Sequence, residues 1–355
     1  MKTYDYLIVG AGLFGSTFAY LAGLKGKSCL VVERRNAPGG MMRCIEKDGI
    51  QIHKFGPHIF HTSNKKVWGL ISSLIPLKPY ILEVHTIGKS GKIYDMPPNE
   101  NTIRGVYGTS MIGDRLDFLD TPPQNLEEYA MYKFGISLFD EVIEGYTEKM
   151  WGMKCRNLPI SILERLPVKE GITDNNYFPL DKYQALPESN SWNELFDILL
   201  GRADVKLRTS FKPEFLNLAR TIIYTGPIDE HYNYSLGKLG WRSLEFVQTR
   251  VESPTERYPI LNDSRPETRY TRITDYGLLG GYRTTYTWKV SERPRKDQRN
   301  PYYPIKSALD LELYSKYLDL NADPNLIFSG RLGGYTYSDM DETIEAAMDL
   351  AKKLL

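Results

Sequence analysis

The sequence predicts an α/β chain whose nucleotide-type unit is discontinuous, assembled from both chain ends, with an inserted helical domain and an antiparallel β-sheet domain. Three observations predict it. An apolar strand runs straight into a glycine-rich turn and a helix near the start, Tyr4 to Leu24. A strand, a second glycine-rich turn and a helix recur at the end, from Leu326 to Leu354. Between them lie a helical block and long alternating runs, so the parallel unit closes only when the two ends meet.

Taken in order, Tyr4–Val9 reads as a buried strand, Gly12–Leu24 as a helix and Ser28–Glu33 as a second strand. A helix between strands implies a right-handed crossover and a parallel sheet. The 19 residues from Tyr6 to Leu24 carry no charge, close to the length of a membrane span. Gly10, Gly12 and Gly15 interrupt the run at fixed places and Asp5 precedes it, so neither a span nor a signal peptide is expected. Ile81–Ile87 and Lys92–Met96 are strand-like, and Pro97, Pro98, Pro122 and Pro123 fence the stretch that follows. Asn125 with Glu128 forms a capping-box pattern before Leu126–Phe134, which Gly135 closes. Ser137 with Asp140 is expected to open a further helix, on which Val142, Tyr146 and Met150 share a face and which Gly152 ends. Residues 161–178 have neither helical nor strand period, and a loop of that length reads as a functional lid or as disorder. Arg242–Val251 and Tyr282–Val290 alternate as an antiparallel sheet would. Leu326–Ser329 is a strand, and a helix is expected from Asp339 to Leu354. The expected domains are 1–62, 193–230 and 320–355; 100–190, with the lid at 160–178; and 63–99 with 231–319.

Composition bounds the function. Of 355 residues, 45 are Lys or Arg and 44 Asp or Glu, for a net charge of +1, and 41% are apolar. Such a balance suits a soluble globular protein with sizeable cores and excludes general nucleic-acid binding, which needs a positive field. The one basic and aromatic stretch, Arg283 to Arg299, includes Tyr286, Trp288, Lys289, Arg293, Arg295 and Lys296. Glu292 and Asp297 dilute it, and it reads as a hairpin and a solvated loop. Cys29, Cys44 and Cys155 are too scattered for disulfides or zinc, so a reducing cytoplasm is expected. The 25 tyrosines fit ordinary cores or a site that stacks rings and binds sugars.

Gly10-Ala11-Gly12-Leu13-Phe14-Gly15 is a dinucleotide-binding fingerprint in its proper place, after a strand and opening a helix. The first glycine allows the turn, the second lets backbone approach a pyrophosphate, and the third packs helix on strand. Glu33, at the end of the next strand, can accept a ribose hydroxyl. Gly39-Gly40 completes a Glu-x5-Gly-Gly pattern like that of FAD-binding Rossmann domains. His58 and His61, in the turn Gly56-Pro57-His58-Ile59-Phe60-His61, lack carboxylate or cysteine at ligand spacing and are not expected to bind metal. They read as structural histidines or as part of a turn shaped against a flat cofactor ring. Trp151 and Tyr146 are core aromatics or a stacking plate for a base. Asp339 is a helix cap, with Ser338 and Asp341 as an alternative capping pair, or a partner for a cofactor hydroxyl.

Several longer motifs, from residue 4 to the last helix, resemble the UDP-galactopyranose mutases. They are GAGLFG (10–15), GPHIFHT (56–62), GYTEKMWG (145–152), LPISILERLPV (158–168), NNYF (175–178), YTGPID (224–229), YTRIT (270–274), PYYPI (301–305) and GRLGGYTYSDMD (330–341). The resemblance implies a flavoenzyme that interconverts pyranose and furanose forms of a nucleotide sugar without net redox change. N5 of reduced FAD attacks the anomeric carbon in that family while the nucleoside diphosphate leaves. No side-chain nucleophile is needed, consistent with a sequence lacking a Ser–His–Asp or Cys–His constellation.

By motif position, Arg165 and Arg272 resemble the pair that grips the diphosphate, and Trp151 the base-stacking tryptophan. Tyr146, Tyr177, Tyr302 or Tyr303, and Tyr337 resemble phosphate-binding tyrosines, with the register between Tyr302 and Tyr303 open. Asn262, Asn99 and Arg242 resemble polar groups near the nucleotide sugar. His58, Arg331 and Asp339 resemble flavin contacts, alongside Gly10, Gly12, Gly15, Glu33, Arg34, Gly40 and Met340. An external reductant such as NAD(P)H and a homodimer are also implied. The chain departs from the family at Met41-Met42, Val142-Ile143, Met150, Asn101 and Ser191-Trp192, and all but the first cluster where base or sugar identity would be read. GDP-, dTDP- or other UDP-linked sugars therefore stand beside UDP-galactose as substrates. A conventional flavin oxidoreductase would show a second glycine-rich NAD(P)H motif, which the sequence lacks. An inactive nucleotide-sugar binder would have lost Arg165 or Arg272, and both are present.

Overall fold

The computed structural model describes residues 3–117, 121–252, 257–295, 297 and 300–355. Lys296 and Arg299 of the basic stretch lie outside them. Tyr4–Val9 is the central strand of a five-stranded sheet ordered Asp204–Lys206, Cys29–Val32, Tyr4–Val9, Ala219–Tyr224, Leu326–Phe328. Every pairing is parallel, so strands from both chain ends share one sheet. Parallel strands are buried on both faces, which is why these runs are apolar throughout rather than alternating. Ile8, Val31 and Ile223 face Phe14, Phe18 and Ala22 of the helix Leu13–Leu24 and Ala347 of the helix Met340–Leu354. On the other face Leu7, Val9, Leu30 and Tyr224 pack with Phe211 and Phe215. Fully buried side chains of this kind contribute about 1.5–3 kcal/mol each relative to exposure.

The charge-free stretch Tyr6–Leu24 is thus strand, turn and helix, and among the described residues no helix is long and apolar enough to cross a membrane. A hairpin, Cys44–Lys47 with Ile50–His53, turns on Asp48 and Gly49, both at positive φ (49° and 77°). This hairpin adds to the elements expected from sequence, and Asp-Gly between apolar runs is its signal.

A seven-stranded sheet runs Tyr303–Pro304, Trp241–Glu252, Tyr286–Arg295, Arg272–Asp275, Ile260–Asp263, Val84–Ile87, Ile93–Met96. It is antiparallel except that Ile260–Asp263 pairs in parallel with Val84–Ile87, because the helical block intervenes between those strands and the chain re-enters in the same direction. Leu77–Pro79 does not join it; that strand pairs with Tyr183–Pro187 in a three-stranded sheet with Phe60–Thr62.

In the helical block, Leu126–Phe134 starts as expected, with Asn125 Oδ1 accepting from the Glu128 N–H, and ends at Gly135 (φ 82°). The expected Ser137–Asp140 cap is not formed. Ser137 N–H donates to Asp114 (2.8 Å), and the short helix Ile136–Leu138 continues through a π-helical turn, Phe139–Ile143, into Glu144–Trp151. Gly152 in the left-handed region (φ 68°) closes that helix. Residues 161–178 hold no strand and only the tail of a 3-10 turn, Ile160–Ile162. They are tied down by Lys169 N–H to the Pro98 carbonyl and Tyr177 N–H to the Leu82 carbonyl, both 2.8 Å. Lys169 Nζ is buried against Asp174 (2.7 Å).

Candidate active site

The first glycine turn, the Gly39-Gly40 turn and the start of the last helix border one cavity of about 420 Å³. Gly10 has φ 107°, and a Cβ there would lie 2.2 Å from Thr225 Oγ1, which itself donates to the Val9 carbonyl (2.7 Å). Gly40 has φ 55°, and its Cβ would sit 3.0 Å from Gly12 Cα. Two backbone segments therefore touch, leaving a cradle that side chains would fill. Gly12 starts the helix without a side-chain cap, so the first-turn N–H groups remain available to an anion. Glu33 accepts from the N–H groups of Ala11 (2.9 Å) and Arg35 (2.8 Å), and an ionised carboxylate keeps further acceptor capacity for hydroxyls.

Gly10, Gly12, Gly15, Glu33, Arg34 and Gly40 all line the cavity, and His58, Arg331, Asp339 and Met340 close it. Asp339 stands at the start of the last helix with its N–H donating to the Glu342 carboxylate (2.8 Å), and the Ser338 hydroxyl pairs with that of Thr343 (2.9 Å). His58 Nδ1 bonds the Gly56 carbonyl (2.8 Å) and must be the protonated nitrogen, leaving Nε2 as an acceptor. Burial, with His53 and Arg331 nearby, holds its pKa down to about 3, so the ring is neutral. His61 turns away, pairing with Asp181 (2.7 Å) and stacking on Phe178.

Arg331 connects the cavity to a second cluster. Its guanidinium lies 5.8, 6.0 and 5.1 Å from the rings of Tyr302, Tyr303 and Tyr337. Tyr303 also approaches Tyr337 (5.5 Å) and Trp151 (6.3 Å). Tyr302 commits its hydroxyl to the Phe55 carbonyl, which leaves Tyr303 as the member of the pair turned toward Trp151. Arg165, on the loop, lies 5.0 Å from the Tyr337 ring and pairs with Asp339.

Arg272 donates from Nε to Asn262 Oδ1 (3.0 Å) and from Nη2 to the Tyr146 hydroxyl (3.3 Å). Burial opposes its charge, but Tyr146 and Glu292 outweigh that and raise its pKa. Tyr177 is within electrostatic reach of both Arg272 and Arg165.

Two expected substrate contacts have other tasks. Asn99 caps the helix Glu100–Tyr107 through Oδ1 to the Thr102 N–H (3.1 Å), and its amide donates to Asp95 and to the Thr173 and Asp174 carbonyls. Arg242 donates from Nε to the Met150 carbonyl (2.8 Å) and from Nη2 to the Lys149 carbonyl (3.3 Å). It thereby satisfies the carbonyls at the helix end that presents Trp151, where a cation also complements the helix dipole. Glu292, in sequence only a charge that dilutes the basic stretch, is buried. Its signal was a carboxylate in phase with Trp288 and Val290, on the inward face of a strand.

A profile of the UDP-galactopyranose mutases matches residues 141–337, and one of NAD(P)-binding Rossmann-like domains matches residues 8–74. A "Probable UDP-galactopyranose mutase" of Klebsiella pneumoniae is 31% identical, covering 100% of this chain and 96% of its own. The chain belongs to the UDP-galactopyranose mutase family. It is accordingly a mutase, an isomerase. Within or beside the family, a dTDP-fucopyranose mutase of Escherichia coli is 29% identical over 98% of this chain and 97% of its own. The fold agrees with a crystal structure of reduced UDP-galactopyranose mutase, at TM-score 0.76 and 13% identity, covering 100% of this chain and 94% of that one. A redesigned putrescine oxidase follows at TM-score 0.59, 12% identity and 99% of each chain, so the architecture is shared by other chemistries.

Proposed function

We propose that this chain interconverts the pyranose and furanose forms of a nucleoside-diphosphate sugar, UDP-galactose first among them, with FAD held in the glycine-lined cavity. The cradle between Gly12 and Gly40, the open helix start and the Glu33 carboxylate suit a dinucleotide's pyrophosphate and ribose. Bound there in reduced form, FAD supplies the nucleophile for the anomeric carbon. A reductant such as NAD(P)H is needed to reach that form.

The observation that carries the reading is the cluster of three arginines with tyrosines at the cavity's edge: Arg165 and Arg331 lie 5.0 and 5.1 Å from the Tyr337 ring, and Arg272 is held on Tyr146 and Asn262. Two permanently charged guanidiniums among partly exposed phenols form a site for a dianionic leaving group. Arg272 is fixed between Asn262 and Tyr146, ready to orient the diphosphate. Arg165 sits on the loop with Asp339 as its resting partner, and it exchanges that carboxylate for phosphate as the loop closes and excludes water. Trp151 and Tyr303 offer ring faces to the base and the diphosphate. Arg242 acts behind them, holding the Trp151 helix end.

Protein reduced with dithionite, incubated with UDP-, GDP- and dTDP-hexopyranoses and resolved by ion-pair chromatography, tests the function. A new peak of unchanged mass, formed only with reduced flavin, is expected with UDP-galactose. The dTDP sugars belong in the panel because the Escherichia coli relative is a dTDP-fucopyranose mutase. No conversion of any of them would sink the proposal for these substrates.

A further inference from the structure

Glu292, on the strand Tyr286–Arg295, is 2% exposed and is the cross-strand partner of Arg272. Its Oε1 receives no hydrogen bond, an expensive condition for a buried carboxylate unless a charge compensates. Arg272 Nη1 lies 3.7 Å away, too far for a hydrogen bond and near enough for strong attraction in a dry site. The other donors of that guanidinium are already directed, Nε to Asn262 and Nη2 to Tyr146. On the opposite side Gly56 closes over the carboxylate: a Cβ at Gly56 would lie 3.2 Å from Oε1. The remaining titratable groups that feel Glu292 are phenols, Tyr146 from the helix, Tyr276 from the next element, and Tyr302 and Tyr303 from the edge segment.

We propose that Glu292 is a positioning residue whose buried charge holds the Arg272 guanidinium against Asn262 and Tyr146 before substrate arrives. The two site arginines then differ in kind. Arg165 rests on Asp339 at the surface and can exchange it for phosphate, whereas Glu292 cannot leave its strand and stays with Arg272 throughout. A guanidinium fixed in advance stabilises the extra charge that builds on the departing diphosphate, so its loss appears in kcat more than in ground-state binding. The part played in turnover rests on the mutase reading; the pairing of Glu292 with Arg272 does not.

Flavin-loaded E292Q, R272M and R272M/E292Q test it, by kinetics with UDP-galactofuranose, UDP affinity and thermal unfolding. E292Q is expected to lower kcat by about tenfold or more while the UDP Kd moves by less than about threefold. Burial lifts the Glu292 carboxyl above the ordinary carboxylate range despite Arg272. Wild-type kcat should therefore fall on the acid side as that group is neutralised, and E292Q should lack this limb. R272M strands the carboxylate and lowers Tm; adding E292Q should restore at least half of the loss. Wild-type kinetics for E292Q across pH would overturn the positioning role. Additive Tm losses would overturn the pairing itself. The thermal comparison decides the pairing even if no sugar is turned over, so failure of the mutase reading and failure of this proposal are told apart.

Discussion

Gly15→Ala isolates the contact between the first helix and the first strand. A Cβ at Gly15 would lie 2.3 Å from the Gly10 carbonyl oxygen and 2.9 Å from Ile8 Cγ2. A comfortable carbon–oxygen approach is about 3.3 Å, so the helix must lift by about 1 Å. Overpacking of this kind costs about 1–3 kcal/mol, offset in part by up to about 1 kcal/mol of helix propensity, for a net loss of about 1–2 kcal/mol. At about 2 °C per kcal/mol for a chain of this size, Tm falls by about 2–4 °C. The displaced helix start also carries the N–H groups facing the cavity, so flavin occupancy should fall with it. Gly69→Ala is the control. Gly69 lies within the helix Lys65–Leu74 with open space around it, and alanine there should stabilise by about 0.5–1 kcal/mol. Calorimetry of both variants with and without flavin, alongside flavin absorbance, measures the contrast. An unchanged Tm and full occupancy in Gly15→Ala would refute the close-packing argument, as would an equal loss in Gly69→Ala.

Arg165→Ala removes one charge from the proposed leaving-group site and should lower kcat by about 10²–10³, with thermal stability unaltered because the side chain is half-exposed. Trp151→Ala should weaken UDP binding by about 1–3 kcal/mol, measured by calorimetric titration. Tyr303→Phe should weaken UDP binding, whereas Tyr302→Phe should instead cost about 1 kcal/mol of stability through the lost Phe55 hydrogen bond; the reverse pattern would exchange their roles. His53, buried and held down to about 4, binds its proton only in the unfolded chain over the range between that value and 6.5. Its stabilisation is therefore complete above about pH 6.5 and declines as pH falls, by about 2 kcal/mol near pH 5. Urea midpoints across that range check the slope, which His53→Gln should flatten.

The strand–turn–helix at each chain end was legible because the evidence for it is local. Tyr4–Val9 is apolar without alternation, Gly10, Gly12 and Gly15 stand at the positions a close backbone turn requires, and Asn125 and Gly135 bracket their helix. The glycines that border the cavity were legible for the same reason, since a close approach of two backbone segments requires them and they announce it. Side chains that meet across the fold were another matter. Sequence places Arg242 and Asn99 beside the substrate motifs, but only packing shows Arg242 on the Met150 carbonyl and Asn99 on its own helix. The parallel pairing of Ile260–Asp263 with Val84–Ile87 joins segments separated by the whole helical block, beyond any local period. Glu292 looks like a solvated charge until the register sets it opposite Arg272. A buried charge is tolerated only by its partner, and that partner is chosen by three-dimensional proximity, which no one-dimensional pattern encodes.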